Sequence, residues 1–192
     1  MVNKEVVLDI ETKNTFQEVG GYFPIKLDLS VMVAYFYETD EYVSYLEEDL
    51  PKLFTRLEDG GRIIGYNSVG FDIPILNKYY AGDLLQIPQL DMLAVIHKSL
   101  GYRIKLDDVA SATIGTSKSA HGLQAVQWWK EGKVQEIIDY CQQDVHVTRL
   151  VYEFGLENGY ILFDDRTGER RKVEVDFKPK AEKASINLTM GF

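Results

Sequence analysis

The chain has 192 residues, of which 45% are hydrophobic and 27% are charged, and its formal net charge is -9. This length supports one domain with a substantial core, and the composition is ordinary for a globular protein. The acidic charge argues against a protein that coats nucleic acid by charge alone, although residues 166–192 are slightly basic. The single cysteine, Cys141, excludes an intrachain disulfide framework and fits a reducing, cytoplasmic setting. We expect no signal peptide, because no hydrophobic core of signal-peptide length precedes Asp9, and no membrane span, because no apolar run approaches ~18 residues.

The first predicted element is a buried strand over residues 4–10, which leads directly into two carboxylates, Asp9 and Glu11. Side chains two residues apart on a strand share a face, so both acids should point the same way at the end of this strand. Two adjacent carboxylates are hard oxygen ligands that suit Mg²⁺ or Mn²⁺. The alternative is a strand that reaches solvent and becomes polar.

The remaining patterns predict an α/β fold. Strand-forming runs are found at residues 31–37, 42–46, 62–65, 87–90, 161–164 and 172–175, and helical patterns at 49–60, 72–82, 91–100, 106–114, 123–131 and 134–157. A hairpin followed by alternating strands and helices predicts a mixed sheet. Ligands of such sheets bind beyond the carboxyl ends of the strands, which is where Asp9 and Glu11 lie.

A further acidic position follows the predicted strand at 62–65. The turn residues Gly65, Asn67 and Gly70 precede Asp72, which falls in the first turn of the next helix. By itself, Asp72 is better explained as a helix-start acid than as a ligand. The amide of Asn67 either binds a phosphate or sugar, or closes the turn.

The longest predicted helix carries Tyr140 and Asp144, which stack on one side because they are four residues apart. The apolar stripe of this helix includes Ile137, Cys141 and Val145. On a wheel of 100° per residue, Tyr140 and Asp144 lie at the border between this stripe and the solvent-facing side, where a cleft would open. A snorkelling tyrosine and a surface acid would give the same pattern.

Together, three segments resemble the exonuclease motifs of the DEDD superfamily. They are Asp9-Ile10-Glu11-Thr12, Asn67-Ser68-Val69-Gly70-Phe71-Asp72 and Tyr140-Cys141-Gln142-Gln143-Asp144, in the same order and with the same spacing as in that family. The Tyr-x-x-x-Asp form resembles the tyrosine branch, since the histidine branch would have His at position 139. The likeness covers roughly residues 4–155 and is greatest to the proofreading domain of family B DNA polymerases and to related stand-alone nucleases.

This resemblance implies a ribonuclease-H-like fold, with a five-stranded mixed sheet flanked by helices. We therefore expect an exonuclease-like domain over residues 1–158. Residues 159–192 are expected to form a C-terminal hairpin and tail, whose role the resemblance does not cover.

The resemblance also implies a two-metal site. Asp9 would bridge two Mg²⁺ or Mn²⁺ ions, Glu11 and Asp144 would hold one of them, and Asp72 would help to hold the other. Tyr140 would orient the attacking water; with a reference pKa of about 10, its neutral hydroxyl is a poor base. The implied substrate contacts are Thr12, Asn67 and Phe71, although Phe71 also suits the core.

The function implied by these residues is a metal-dependent 3′→5′ exonuclease that acts on single-stranded nucleic acid ends, with DNA slightly favoured over RNA. A protein partner that supplies basic surface is compatible with the acidic charge. Two alternatives stay open: a non-catalytic nucleic-acid-binding or interaction module that keeps the fold, and an endonuclease of the ribonuclease H kind.

Overall fold

The computed structural model describes residues 4–59, 61–116 and 122–179. The strands are β1 (Val6–Thr12), β2 (Leu29–Phe36), β3 (Glu41–Tyr45), β4 (Ile63–Gly65), β5 (Gln89–Asp91), β6 (Tyr160–Asp164) and β7 (Arg170–Glu174). The α-helices are α1 (Leu50–Glu58), α2 (Asp72–Leu76), α3 (Met92–Leu100), α4 (Leu106–Ile114), α5 (Gly122–Lys130) and α6 (Val134–Asn158). None of the helices in these ranges has the length and apolar character needed to cross a membrane.

The main sheet has five strands in the order β3-β2-β1-β4-β5. The pairs β1–β2 and β2–β3 are antiparallel, and β1–β4 and β4–β5 are parallel, so the predicted mixed sheet is confirmed. Pairing of β1 with β2 continues to Thr12, but pairing with β4 ends at Val7. The carboxyl half of β1, which carries Asp9 and Glu11, therefore lacks a strand on its β4 side.

Helices pack on both faces of this sheet. The side chains of β1 alternate between the two faces, so each face carries apolar residues that a helix can cover. Val7 belongs to a core formed with α3, α4, α5 and α6. Val6, Leu8 and Ile10 belong to a second core formed with α1 and α2. Asp9 and Glu11 follow Val7 in this alternation, so they face the side that carries α6.

The predicted C-terminal hairpin is formed by β6 and β7 and packs against α4. The Thr113 hydroxyl donates to the Leu162 carbonyl and accepts from the Leu162 N–H, both at 2.9 Å. Ile161, Phe163 and Val173 share the core that contains Val7. The hairpin is thus part of a core that also contains sheet residues, and a division of the chain at residue 158 stays a prediction.

One local expectation was wrong. The helix beginning at Asp72 was predicted to reach residue 82, but α2 ends at Leu76, because the Asn77 side chain bonds to the Asp83 carboxylate and the Leu84 N–H. Asp49 directly precedes α1, and its carboxylate accepts from Lys52 rather than from the backbone of the helix. The polar segment 117–121 and the chain after residue 179 lie outside the described residues.

Candidate functional site

Three predicted site residues come together at the carboxyl half of β1, which is not paired with β4. One carboxylate oxygen each from Asp9, Glu11 and Asp144 lie within 4.8 Å of one another, and this group is compatible with binding a metal ion. Glu11 and Asp144 are only 8% and 2% exposed. Three carboxylates packed this closely in a buried place repel one another, which favours a cation between them.

Tyr140 and Asp144 are more buried than the helical wheel predicted. Tyr140 is 6% exposed, and both residues lie in the core rather than at its border. The wheel treats α6 as an isolated cylinder, whereas α5 packs on α6 and on β1. Trp128 of α5 contacts the Tyr140 ring edge-on, with the ring centroids 6.1 Å apart.

The Tyr140 hydroxyl is held in its protonated form. Burial raises its pKa, and the negative charges of Asp144, Glu11 and Asp9 raise it further. The hydroxyl donates a hydrogen bond to the Asp144 carboxylate, which acts in the same direction. In the metal-free site, Tyr140 is therefore a neutral hydrogen-bond donor.

Asp72 reaches the same end of the sheet from the first turn of α2. It is 2% exposed, and its carboxylate accepts a hydrogen bond from the Ile10 N–H of β1. Burial, followed by the charge of Asp9, raises its pKa well above the usual value. Its Oδ1 is buried and has no hydrogen-bond partner among the described residues. Asp72 lies outside the 4.8 Å group but next to Asp9, and its unsatisfied oxygen is available as a ligand.

The turn that precedes Asp72 is held by Asp91, the first residue of the helical pattern predicted over residues 91–100. Asp91 does cap α3, because its Oδ1 accepts from the Ala94 N–H at 3.2 Å. The same carboxylate also accepts from the N–H groups of Asn67, at 2.9 Å, and Val69, at 3.2 Å. Asn67 adopts a left-handed backbone with φ 68°, a conformation that Asn tolerates better than most residues. Asp91 thus connects α3 to the turn ahead of α2.

Cys141 lies directly behind Asp9. Its thiol is buried 3.3 Å from the Asp9 carbonyl oxygen and 3.9 Å from Asp9 Oδ2. Burial and then the neighbouring carboxylates raise the pKa of the thiol, so it stays a neutral donor. Cys141 therefore helps to fix the position of Asp9 on β1.

The predicted substrate contacts have different surroundings. Thr12 is buried, and its hydroxyl donates to the Asn14 carbonyl at 2.9 Å. Phe71 is half-buried, with its ring edge-on to Phe16 at 5.9 Å. Asn67 accepts a hydrogen bond from Arg103 through its side-chain oxygen. The roles of Thr12, Asn67 and Phe71 in binding a substrate stay predictions.

Comparison with known proteins supports the fold. Among solved structures, the chain is similar to an ExoI/SSB-Ct complex, with a TM-score of 0.55 and 12% identity over 82% of this chain and 42% of that chain. It is also similar to the zinc-bound form of an E. coli ExoI–ssDNA complex, with a TM-score of 0.54 and 11% identity over 82% of this chain and 41% of that chain. The chain thus spans less than half the length of either protein, and no curated protein matches its sequence.

At these identities the structural likeness shows the fold alone. The sequence profile described as RNase_H superfamily matches residues 6–154, which is most of the chain. The match includes β1, α2 and α6 as far as residue 154, and therefore Asp9, Glu11, Asp72 and Asp144. The ribonuclease-H-like fold is confirmed, and the chain belongs to the RNase H superfamily.

Proposed function

We propose that this protein is a metal-dependent 3′→5′ exonuclease of the DEDD tyrosine branch, with DNA slightly favoured over RNA. The observation that carries the proposal is the group of Asp9, Glu11 and Asp144, with the Tyr140 hydroxyl bonded to Asp144. A two-metal nuclease needs clustered hard ligands, and the carboxyl end of β1 carries two of the three clustered acids.

The residues fit a divalent cation. Carboxylate oxygens are the ligands that Mg²⁺ and Mn²⁺ prefer, and three of them lie within 4.8 Å of one another here. Asp9, Glu11 and Asp144 would hold one ion, and Asp72, with its unsatisfied Oδ1, would share a second with Asp9. When bound, such ions stabilise charge on the attacking and leaving oxygens and lower the pKa of bound water.

Other residues position the metal ligands and the attacking water. The Tyr140 hydroxyl donates to Asp144, and we expect it to orient a water molecule, which would contribute through geometry rather than basicity. Cys141 fixes Asp9 from behind. Asp91 holds the turn that leads into Asp72.

The proposal is tested with 5′-labelled single strands of DNA and RNA, incubated with Mg²⁺ or Mn²⁺. We expect a ladder that shortens by one nucleotide at a time from the 3′ end, and we expect a 3′-blocked strand to stall it. Cleavage of the blocked strand at internal positions would instead identify an endonuclease. Binding without cleavage of any strand would identify a non-catalytic module.

A pair of variants on α6 makes this test specific. Asp144→Asn removes a clustered carboxylate and should abolish the ladder. Asp139→Asn makes the same chemical change on the same helix, but Asp139 is exposed and bonds only to Gln135 among the contacts described, so activity should be kept. Equal activity of both variants would remove Asp144 from the proposed site.

A further inference from the structure

A cleft opens beside the clustered acids on the side of the α3–α4 connection. It has a volume of about 410 Å³, within the range of small-molecule sites, and Asp9 forms part of its wall. Asn67 and Tyr66 line it from the turn after β4, and Arg103 and Lys105 line it from the segment before α4. A group in this cleft would lie directly against the candidate metal site.

Arg103 is oriented by a neutral partner. Its Nη2 donates to the Asn67 side-chain oxygen at 2.5 Å, and Asn67 is itself held by Asp91. Because the amide carries no charge, this hydrogen bond directs the guanidinium into the cleft without neutralising it. Arg103 is exposed, so its remaining N–H groups can be reached by a ligand.

The charges around the cleft show which ligand this arrangement suits. The chain is acidic overall, and the clustered carboxylates repel any phosphate that approaches Asp9. Arg103 and Lys105 place two cations next to that acidic group, and Asp107 adds one further carboxylate to the cleft wall, so the shape of the Arg103 guanidinium, rather than net charge, would select a phosphate. A guanidinium forms paired hydrogen bonds with phosphate oxygens, which is a geometry that a solvated surface charge does not provide.

We propose that this cleft binds a backbone phosphate of the substrate strand, adjacent to the phosphodiester that meets the clustered acids, with Arg103 as the positioning residue. The inference rests on the proposed function, because it assigns a contact to the same substrate. It explains how an acidic protein binds a polyanion at this place, since Arg103 and Lys105 provide local contacts without an extended positively charged surface.

The test measures binding as well as turnover. Fluorescence anisotropy of a labelled single-stranded oligonucleotide is recorded with Ca²⁺ in place of Mg²⁺, over a series of salt concentrations. We expect Arg103→Gln to weaken binding by about tenfold, as for loss of a charge-assisted hydrogen bond. The slope of log K against log salt should become shallower by about 0.7, the value for one phosphate contact on a single strand.

Two further variants separate the cleft from charge in general. Lys52→Gln also removes one positive charge, but Lys52 lies on α1 with its side chain 77% exposed and paired with Asp49, so affinity and slope should match the wild type. Arg103→Lys keeps the charge without the planar fork, so it should recover the slope and part of the affinity.

The possible results distinguish the two proposals. If the wild type binds and degrades strands while Arg103→Gln and Lys52→Gln give the same affinity and slope, the cleft assignment is overturned and the exonuclease proposal stands. If the wild type binds strands without cutting them, the cleft is judged on the binding data alone and the exonuclease proposal fails. If it binds no strand, both fail.

Discussion

The hydrogen bonds of Asp91 give a prediction that connects stability to activity. Asp91→Ala removes the cap of α3 and both bonds to the turn at Asn67 and Val69. Loss of a cap costs ~1 kcal/mol, and a hydrogen bond to a charged group contributes ~1.5–3 kcal/mol when well shielded. Because Asp91 is half-buried, each bond to the turn contributes less free energy than this range. We expect the free energy of unfolding to fall by about 2–4 kcal/mol.

The activity of Asp91→Ala should fall further than its stability explains. The turn that it releases carries Asn67, which orients Arg103, and leads into Asp72. We expect at least a tenfold loss of kcat/KM for the folded variant, since small displacements of positioned groups are costly in rate. Urea unfolding in EDTA gives the stability, and single-turnover cleavage at a temperature where the variant is fully folded gives the activity.

Asp83 provides the matched control. Asp83 is also an N-cap, of the short 3-10 helix Leu84–Gln86, where its carboxylate accepts from the Leu85 N–H at 3.0 Å. It accepts a second bond from the Asn77 side chain at 3.0 Å, away from the clustered acids. Asp83→Ala should destabilise the protein less and leave kcat/KM unchanged. The reasoning is refuted if Asp91→Ala loses less than about 1 kcal/mol and keeps full activity, or if both variants lose activity equally.

Three other changes have defined outcomes. Tyr140→Phe should lower kcat with little change in KM, because only the hydroxyl bonded to Asp144 is lost; an unchanged kcat in steady-state assays would make the tyrosine structural. Asp72→Asn should abolish activity yet raise the metal-free Tm at neutral pH. Because the pKa of Asp72 is raised in the folded state, the folded wild type binds this proton more tightly than the unfolded chain does. The free energy of unfolding of the wild type therefore falls as the pH rises from about 4 toward the folded pKa. Thermal melts in EDTA across this pH range should show the Tm of Asp72→Asn rising relative to the Tm of the wild type. A difference in Tm that does not change with pH would contradict the burial assigned to Asp72. Gly155→Ala should lower stability by about 1–3 kcal/mol, because the added methyl overlaps the buried Phe177 ring; melting curves measure this loss, and specific activity should not change.

The sequence predicted those parts of the fold that depend on local periodicity. The alternation of β1 placed Asp9 and Glu11 on one face, and four-residue spacing placed Tyr140 beside Asp144; both placements agree with the structure. Residues on one strand or one helix have a fixed geometry, so short-range patterns are enough to relate them.

Contacts between distant segments were not predictable in this way. The burial of Tyr140 depends on Trp128 of α5. Arg103 meets Asn67 across 36 residues, and Asp91 meets that turn across more than 20. Neither Arg103 nor Asp91 stands in a motif. Asp91 reaches the turn at Asn67 because β4 and β5 are adjacent and parallel, and Arg103 reaches it from the connection between α3 and α4.

The central claim is that the acids at the end of β1 bind the catalytic cations, and diffraction from crystals grown with Mn²⁺ tests it most directly. We predict an anomalous peak among Asp9, Glu11 and Asp144 and a second beside Asp72, with the first lost in Asp144→Asn. Active protein whose crystals show manganese only elsewhere, or none at saturating concentration, would contradict the account.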